Sequence, residues 1–570
     1  MRYSNAEDGM KIGSLLVLFV CPIVAEAASP EAVYAKHGMV TSRSALASNV
    51  GIEIIRDGGN AVDAAVATAF ALAVTYPSAG NIGGGGFAVI RLEDGTVKTL
   101  DHRETAPATA ERDMYLDDEG DVISGLSTRS HLAAGVPGSV DGLLTLLATH
   151  GTMRRQKVLR PAIQLARRGF PLTYDLARQF AGVLKRMSDY PASMAKFSQQ
   201  GEPFQFGDLW RQPDLAKTLQ RISNRGRAGF YEGRVADLIV AEMDRGHGQI
   251  SHADLKRYRS IWRDPVKGSY RGYEVWSMGP PSSGGTLLIQ MLNMLEPLNL
   301  AAMGWGSAAT IHHMVEAQRR AYADRAEHLA DPDYYDVPLN MLLDKDYAKQ
   351  RYADVDPDRA TGSEQVAAGH WPEESPETTH FSVMDAGGMM VALTTTLNSG
   401  YGNKIVVPGT GVLLNNEMND FSVKADTPNQ FQLIGREANA IAPGKRMLSS
   451  MSPTLVTKDG APFMATGSPG GSTIITTTLQ VIINVIDHGM AVDDAVSLPR
   501  FHHQWQPDVI RFDKFALNPD TRKKLRHMGH QELVESNYVR GIGDANSILY
   551  RDGLMHGIKD PRNDGLAVGF

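Results

Sequence analysis

The sequence predicts an α+β fold in which stacked antiparallel sheets are covered by helices. Three observations carry that expectation. Hairpin signals recur on both sides of the chain, each a pair of alternating runs around an Asp-Gly or Ala-Gly-Gly turn. Helices accompany them: an Ala-rich one near the start and an apolar one near residue 480, both suited to burial against a sheet. The stretch from about Leu132 to Leu343 carries mainly helical spacing. At 570 residues the chain exceeds what one hydrophobic core usually serves, so two domains or one large layered unit are both open.

The elements follow in order. KIGSLLVLFVCPIVAEAASPE has Lys11, an apolar run from Ile12 to Ala25 too short to span a bilayer, and a small-x-small site at Ala25-Glu26-Ala27. This reads as a signal peptide, residues 1–27, cut after Ala27, and predicts an exported protein, periplasmic or secreted, with no stable membrane span. Glu7 and Asp8 do not suit a positively charged leader, which leaves Met1 and Met10 both open as the start. The single cysteine, Cys21, lies inside that run, so the mature chain has no disulfide, thiolate metal site or cysteine nucleophile. From Ile52 to Pro77, Gly58 and Gly59 end one helix and the Ala-rich run after Asn60 makes a second. GNIGGGG, Gly80 to Gly86, then feeds the strand pair FAVIRLE and TVKTLDHR through Asp94-Gly95, with Arg103 where the second strand ends. The helical middle includes IHHMVEAQRRAYADRAEHLA from Ile311. Val355 to Glu377 is polar and acidic with three prolines and is predicted to be an exposed, mobile connector. After Thr378 come THFSVMD and MVALTTTLN around DAGG, then PTLVTKDGAPFMATG and SILYRDGLMHG, with the helix TIITTTLQVIINVID, Thr473 to Asp487, between them.

Composition excludes several classes. A formal charge of −7, a pI near 6.2 and no Lys/Arg block offer no nucleic-acid footprint. G-x-S-x-G and H-E-x-x-H are both absent. The 17 histidines are scattered apart from His312-His313 and His502-His503, and adjacent histidines point in different directions, so no metal is expected. GPPSSGGT, Gly279 to Thr286, lacks the lysine of a phosphate loop, and GNIGGGG lacks G-x-G-x-x-G spacing; both are better explained by tight turns with close backbone packing. No organic cofactor is implied.

ESPETTHFSVMD, Glu374 to Asp385, switches abruptly from connector to strand at a threonine pair. A threonine hydroxyl needs a base, and no Ser-His-Asp pattern supplies one. Breaking the Glu377–Thr378 bond would free an α-amine with a pKa of about 8 beside the Thr378 hydroxyl, giving nucleophile and base in one residue. The alternative is an ordinary strand following a loop. A three-residue turn centred on Gly387, with one glycine left-handed, pairs residues whose numbers add to 774, placing Thr396 opposite Thr378. Thr394, Thr396 and Asn398 would share one face.

TTHFSVMD, TTTLNSGYG, LLNNEMNDFS, RMLSSMSPT, TGSPGGSTII and RFHHQW, with GGNAVDAAVA, GNIGGGGF and DHRETAPA before them, resemble the gamma-glutamyltranspeptidase (glutathione hydrolase) family, from about residue 33 to the C-terminus. The resemblance implies the four-layer αββα N-terminal nucleophile hydrolase fold. It also implies a precursor that cleaves itself into a large subunit, 28–377, and a small one, 378–570, held as a heterodimer within one intertwined unit. Thr378 would take the γ-glutamyl group as an ester, with Thr396 hydrogen-bonded to it. Gly470 and Gly471 would form the oxyanion hole. Arg103, Ser449 and Ser450 would hold the substrate α-carboxylate, and Asn398, Glu417 and Asp420 its α-ammonium group. Val423 to Arg446 would be a lid with Phe431 closing the pocket. Expected substrates are glutathione and related γ-glutamyl compounds, with water, amino acids or peptides as acceptors. The alternatives are a cephalosporin or glutaryl acylase of the same superfamily, an unprocessed binding homologue, or a nucleotide binder using the glycine loops. Taken singly, Arg103 also fits a solvated charge, Glu417 with Asp420 a turn cap, Ser449-Ser450 polar loop residues, and Gly470-Gly471 a helix entry.

Overall fold

The computed structural model describes residues 29–367, 378–424, 427, 436–536 and 541–570. The predicted signal peptide, Glu377 and Phe431 lie outside the described residues. Fourteen strands build two seven-stranded sheets. In chain order they are β1 (Val33–Ala35), β2 (Gly38–Ser42), β3 (Gly85–Arg91), β4 (Val97–Asp101), β5 (Ile261–Arg263), β6 (Val266–Tyr270), β7 (Tyr273–Ser277), β8 (Thr379–Asp385), β9 (Met390–Thr396), β10 (Thr454–Lys458), β11 (Ala461–Thr466), β12 (Ser547–Arg551), β13 (Leu554–Ile558) and β14 (Leu566–Gly569). One sheet runs β1-β13-β12-β11-β10-β7-β6 and the other β14-β2-β8-β9-β3-β4-β5, antiparallel throughout.

Both faces of the sheets are covered, so even the polar residues of β8 and β9 are buried. In the second sheet Phe87, Val89, Met384, Met390 and Ala392 face the first sheet, where they meet Leu455, Ala465, Ile548 and Met555. The alternate residues Ala88, Ile90, Val383, Val391 and Leu393 face outward onto helices. Val456, Met464 and Leu549 do the same for the first sheet. The outer layer on the second sheet includes α1 (Ala45–Arg56) and α2 (Ala61–Thr75); that on the first includes α3 (Gly284–Leu295), α4 (Ala308–His328) and α5 (Thr473–Ile486). The result is the expected αββα stack. Among the described residues no helix is long and apolar enough to cross a membrane.

Local signals explain these elements. Asn60 caps α2 by accepting from the Val62 and Asp63 N–H groups, while Asp63 accepts the Asn60 N–H in return. The β8–β9 turn has Gly388 in the left-handed region (φ +77°), and Asp385 Oδ1 accepts from the N–H groups of Gly387 and Met389. Pairing runs from Thr379–Thr395 to Met384–Met390, the predicted register.

Two expectations change. The helical middle is interrupted by strands β5 to β7, whose hairpin turns at Arg271 and Gly272, both with positive φ. The connector is exposed at Asp356 to Arg359, Glu364, Gln365 and Ala367, as expected, but is anchored at Ser363 and Val366. Both residues are buried, Trp505 Nε1 donates to their carbonyls (3.0 and 3.1 Å), and Asp508 accepts the Ser363 N–H (2.8 Å). Its end, 368–377, lies outside the described residues. Each sheet draws strands from both sides of residue 377, so that position divides no folding unit.

Candidate active site

Thr378 immediately precedes β8 and is buried, 5% exposed. Thr396 ends β9, one residue beyond the first observed pair, Thr379–Thr395, so extending that register by one residue would set it opposite Thr378. The Thr396 hydroxyl accepts the Asn398 N–H (2.8 Å), and its carbonyl accepts Asn81 Nδ2 (2.8 Å). Behind it, a Cβ on Gly84 would lie 2.0 Å from the Thr396 carbonyl oxygen, so only glycine permits this backbone approach. The glycine run is therefore packing, as its spacing predicted. Asn398 does not continue the strand face. It lies beyond β9 with φ +74°, and its amide reaches the Asn416 carbonyl (2.8 Å) and the Asp420 carboxylate.

Arg103 follows β4 by two residues and is completely buried. Its guanidinium meets Glu417 and Asp420 (2.6 Å), both on the 3₁₀ turn Glu417–Asp420, and donates to the carbonyls of Met447 and Leu448 (3.2 Å each). The two predicted binding sets, one for carboxylate and one for ammonium, are thus a single charge cluster. Burial opposes the Arg103 charge, yet Glu417, Asp420 and Glu104 together hold it more firmly protonated than usual. Burial pushes the Glu417 and Asp420 carboxyl groups up, with Arg103 opposing the rise. Glu104, beside Arg103 in the sequence and buried at 3.7 Å from it, is pushed up by burial in the same way. Such a cluster suits a zwitterionic amino-acid head, whose carboxylate and ammonium exchange with charges already in place.

Ser449 and Ser450 follow the two carbonyls that Arg103 contacts. The GPPSSGGT loop braces them: Ser283 donates its N–H (2.8 Å) and hydroxyl (2.7 Å) to the Ser449 carbonyl. Arg325 of α4 bridges the Ser283 hydroxyl (2.9 Å) and Ser450 Oγ (3.4 Å). Glu104 and Arg325 were missed by residue-level reasoning, although Glu104 stands inside DHRETAPA and Arg325 inside the quoted helix.

Gly470 and Gly471 adopt φ +130° and +57° immediately before α5. The Pro469 carbonyl accepts the Ser468 hydroxyl (2.7 Å), and the Gly470 carbonyl accepts the Thr473 N–H (3.0 Å) and hydroxyl (2.7 Å). In a trans peptide the following N–H points opposite its carbonyl, so these bonds aim the Gly470 and Gly471 N–H groups away from their own anchors. Gly467, which leads into this loop, packs on His380 of β8; a Cβ there would lie 2.5 Å from the ring. His380 bonds Thr394 Oγ1 (2.9 Å) and Ser382 Oγ (3.1 Å), and burial lowers its pKa to about 3, so it stays neutral.

His312, Glu316 and His530 bring three ligand-type atoms within 4.8 Å of one another. All are committed elsewhere. His312 Nδ1 shares a bond with His530 Nε2 (2.9 Å), His312 Nε2 donates to the Asp356 carbonyl (2.8 Å), and Arg320 (2.6 Å) and Arg319 (3.5 Å) hold Glu316. Two guanidinium groups at the only carboxylate disfavour a cation, and the cluster is a clamp between α4 and the segment after helix Pro519–His527.

The family model "Gamma-glutamyltranspeptidase" matches residues 47–570. A glutathione hydrolase proenzyme from Escherichia coli (strain K12) is 47% identical over 545 residues, covering 94% of this chain and 93% of that protein. The structure of a cephalosporin acylase from Bacillus halodurans superposes with a TM-score of 0.84 at 27% identity, covering 97% of this chain and 99% of that one. A Helicobacter pylori gamma-glutamyltranspeptidase structure matches at 47% identity and TM-score 0.56, covering 57% of this chain and 93% of that one.

Proposed function

The chain belongs to the gamma-glutamyltranspeptidase family, and from that premise we propose a self-processing enzyme that cleaves the γ-glutamyl amide of glutathione and related compounds through Thr378. Processing breaks the Glu377–Thr378 bond and yields subunits 28–377 and 378–570, which remain one heterodimer because both sheets interleave their strands. The new Thr378 α-amine takes the hydroxyl proton as the oxygen attacks the γ-carbonyl. The Gly470 and Gly471 N–H groups stabilise the oxyanion. The amine leaves with the proton from the Thr378 α-ammonium, and water, an amino acid or a peptide resolves the ester. Thr396 positions the nucleophile. Arg103, Ser449 and Ser450 hold the α-carboxylate; Asn398, Glu417 and Asp420 hold the α-ammonium group. The enzyme acts after export, in the periplasm or outside the cell.

The observation that carries this proposal is the buried cluster of Arg103 with Glu417 and Asp420, which offers both signs of charge to one small ligand. A glutaryl acylase needs no carboxylates for an ammonium group, and a glutaryl chain offers no ammonium group to Glu417 and Asp420. Intact mass, N-terminal sequencing and turnover of paired γ-glutamyl and glutaryl anilides test the proposal. Wild type should give a fragment beginning Thr378-Thr379-His380 and favour the γ-glutamyl anilide, and Thr378→Ala should stay uncut and inactive. A fully processed Thr378→Ala chain, or equal turnover of the two anilides, would overturn it.

A further inference from the structure

His502 of the RFHHQW motif lies 30 residues beyond Ser472, yet the motif's side chains end at the glycine loop. Ser472, which stands at the start of α5 directly after Gly471, is held from three sides. Its hydroxyl donates to Gln504 Oε1 (2.6 Å) and lies 3.1 Å from His502 Nε2; Tyr322 of α4 donates its hydroxyl to the Ser472 carbonyl. His502 Nε2 also bonds Gln504 Oε1 (2.6 Å), while Nδ1 lies 2.8 Å from Thr476 Oγ1, one turn into α5. With the Gln504 oxygen as acceptor, His502 carries its proton on Nε2 and Nδ1 faces the Thr476 hydroxyl, which also donates to the Thr473 carbonyl (3.2 Å). Burial keeps His502 neutral, with its pKa lowered to about 3, so this arrangement persists across the working pH range. All four side chains are buried.

We propose that His502 and Gln504, acting through Ser472 and Thr476, are positioning residues that fix the Gly470–Gly471 backbone donors for the transition state. The carbonyls of Pro469 and Gly470 set the direction of the two N–H groups locally; Ser472 sets where the loop sits. A glycine pair with positive φ at both residues has wide backbone freedom, so its place depends on the anchor that follows it. A misplacement of about 1 Å costs roughly a hundredfold in rate. The loop donors act on charge that develops during reaction, so loosening them lowers kcat and leaves KM largely unchanged.

This inference rests on the Thr378 mechanism, and the test separates the two. Gln504→Leu, Thr476→Val and Thr476→Ser are compared with wild type after processed active sites have been counted with a covalent inactivator, alongside Thr378→Ala. Gln504→Leu and Thr476→Val should lower kcat per processed site about tenfold to a hundredfold with KM within about twofold, and Thr476→Ser should recover wild-type kcat. Gln504→Glu should shift the acid limb of the kcat profile upward relative to wild type, because a carboxylate beside Nε2 favours the imidazolium against burial, Arg511 and His503. Wild-type kcat per site in both Gln504→Leu and Thr476→Val would overturn the proposal, as would a loss confined to the number of folded sites. Where Gln504→Leu fails to fold, the Thr476 pair decides. If Thr378→Ala is processed and active, the mechanism itself fails whatever these variants do.

Discussion

Replacing Arg103 by lysine keeps the charge and removes the fork. The guanidinium reaches Glu417, Asp420 and the carbonyls of Met447 and Leu448 from three separate nitrogens. A lysine ammonium has one nitrogen and cannot hold that set and a substrate carboxylate together. A charge-assisted hydrogen bond contributes about 1.5–3 kcal/mol, so losing one of two to the α-carboxylate and weakening the other should cost about 3 kcal/mol, roughly a hundredfold in kcat/KM. The loss should fall on KM, since the head group is bound alike in ground and transition states. Steady-state kinetics on a γ-glutamyl anilide, with processed sites counted, measure it. Arg103→Met goes further and strands two buried carboxylates, a change that typically costs about 3–5 kcal/mol. Both carboxyl groups already have raised folded-state pKa values, and losing the cation raises them more. A carboxyl raised in the folded state stabilises most at low pH and loses that stabilisation as pH rises through its folded pKa, so the deficit should grow from acid to neutral pH. An Arg103→Lys enzyme within threefold of wild type, or an Arg103→Met protein as stable as wild type at pH 7, would refute this account.

Gly470→Ala should lower kcat about a hundredfold in folded, processed enzyme, because its Cβ would lie 2.3 Å from the Thr473 hydroxyl that holds the Gly470 carbonyl; a kcat within twofold of wild type would exclude that role. His380→Gln should lose stability at pH 7, and its gap to wild type should close by about 3 kcal/mol on going to pH 4.5. His380 titrates at about 3 when folded and near its usual value when unfolded, so its contribution is present above that usual value and drains away as pH falls. Urea midpoints at the two pH values check this, and parallel profiles would contradict it. Asn60→Ala should cost about 1 kcal/mol in urea unfolding through loss of the capping box at α2, leaving kcat unchanged; an unchanged midpoint would show that the cap is not limiting.

Legibility followed distance along the chain. The β8–β9 register was readable because a three-residue turn with one left-handed glycine allows one alignment of its strands. The α1–α2 boundary was readable because Gly58, Gly59 and Asn60 are stop and start signals in sequence. Strands β5 to β7 were not, since Arg271 at a left-handed position carries no turn signature and the strands are short. Ser363 and Val366 look like loop residues and are buried by distant partners, Trp505 at both carbonyls and Asp508 and Arg319 at Ser363.

The candidate site divides in the same way. By itself the sequence determined the β8–β9 hairpin and its register, the α1–α2 boundary, the place of Thr378 at the start of a strand and the glycine pair before α5. Only tertiary structure decided that Arg103 meets Glu417 and Asp420 from 314 and 317 residues away, that Ser283 and Arg325 brace Ser449 and Ser450, and that His502 and Gln504 reach back to Ser472. The reason is physical. Turns, caps and strand alternation follow from hydrogen bonds and sterics among neighbours, whereas a buried charge cluster follows from where two packed sheets and their helices leave its members, information that no local window of sequence contains.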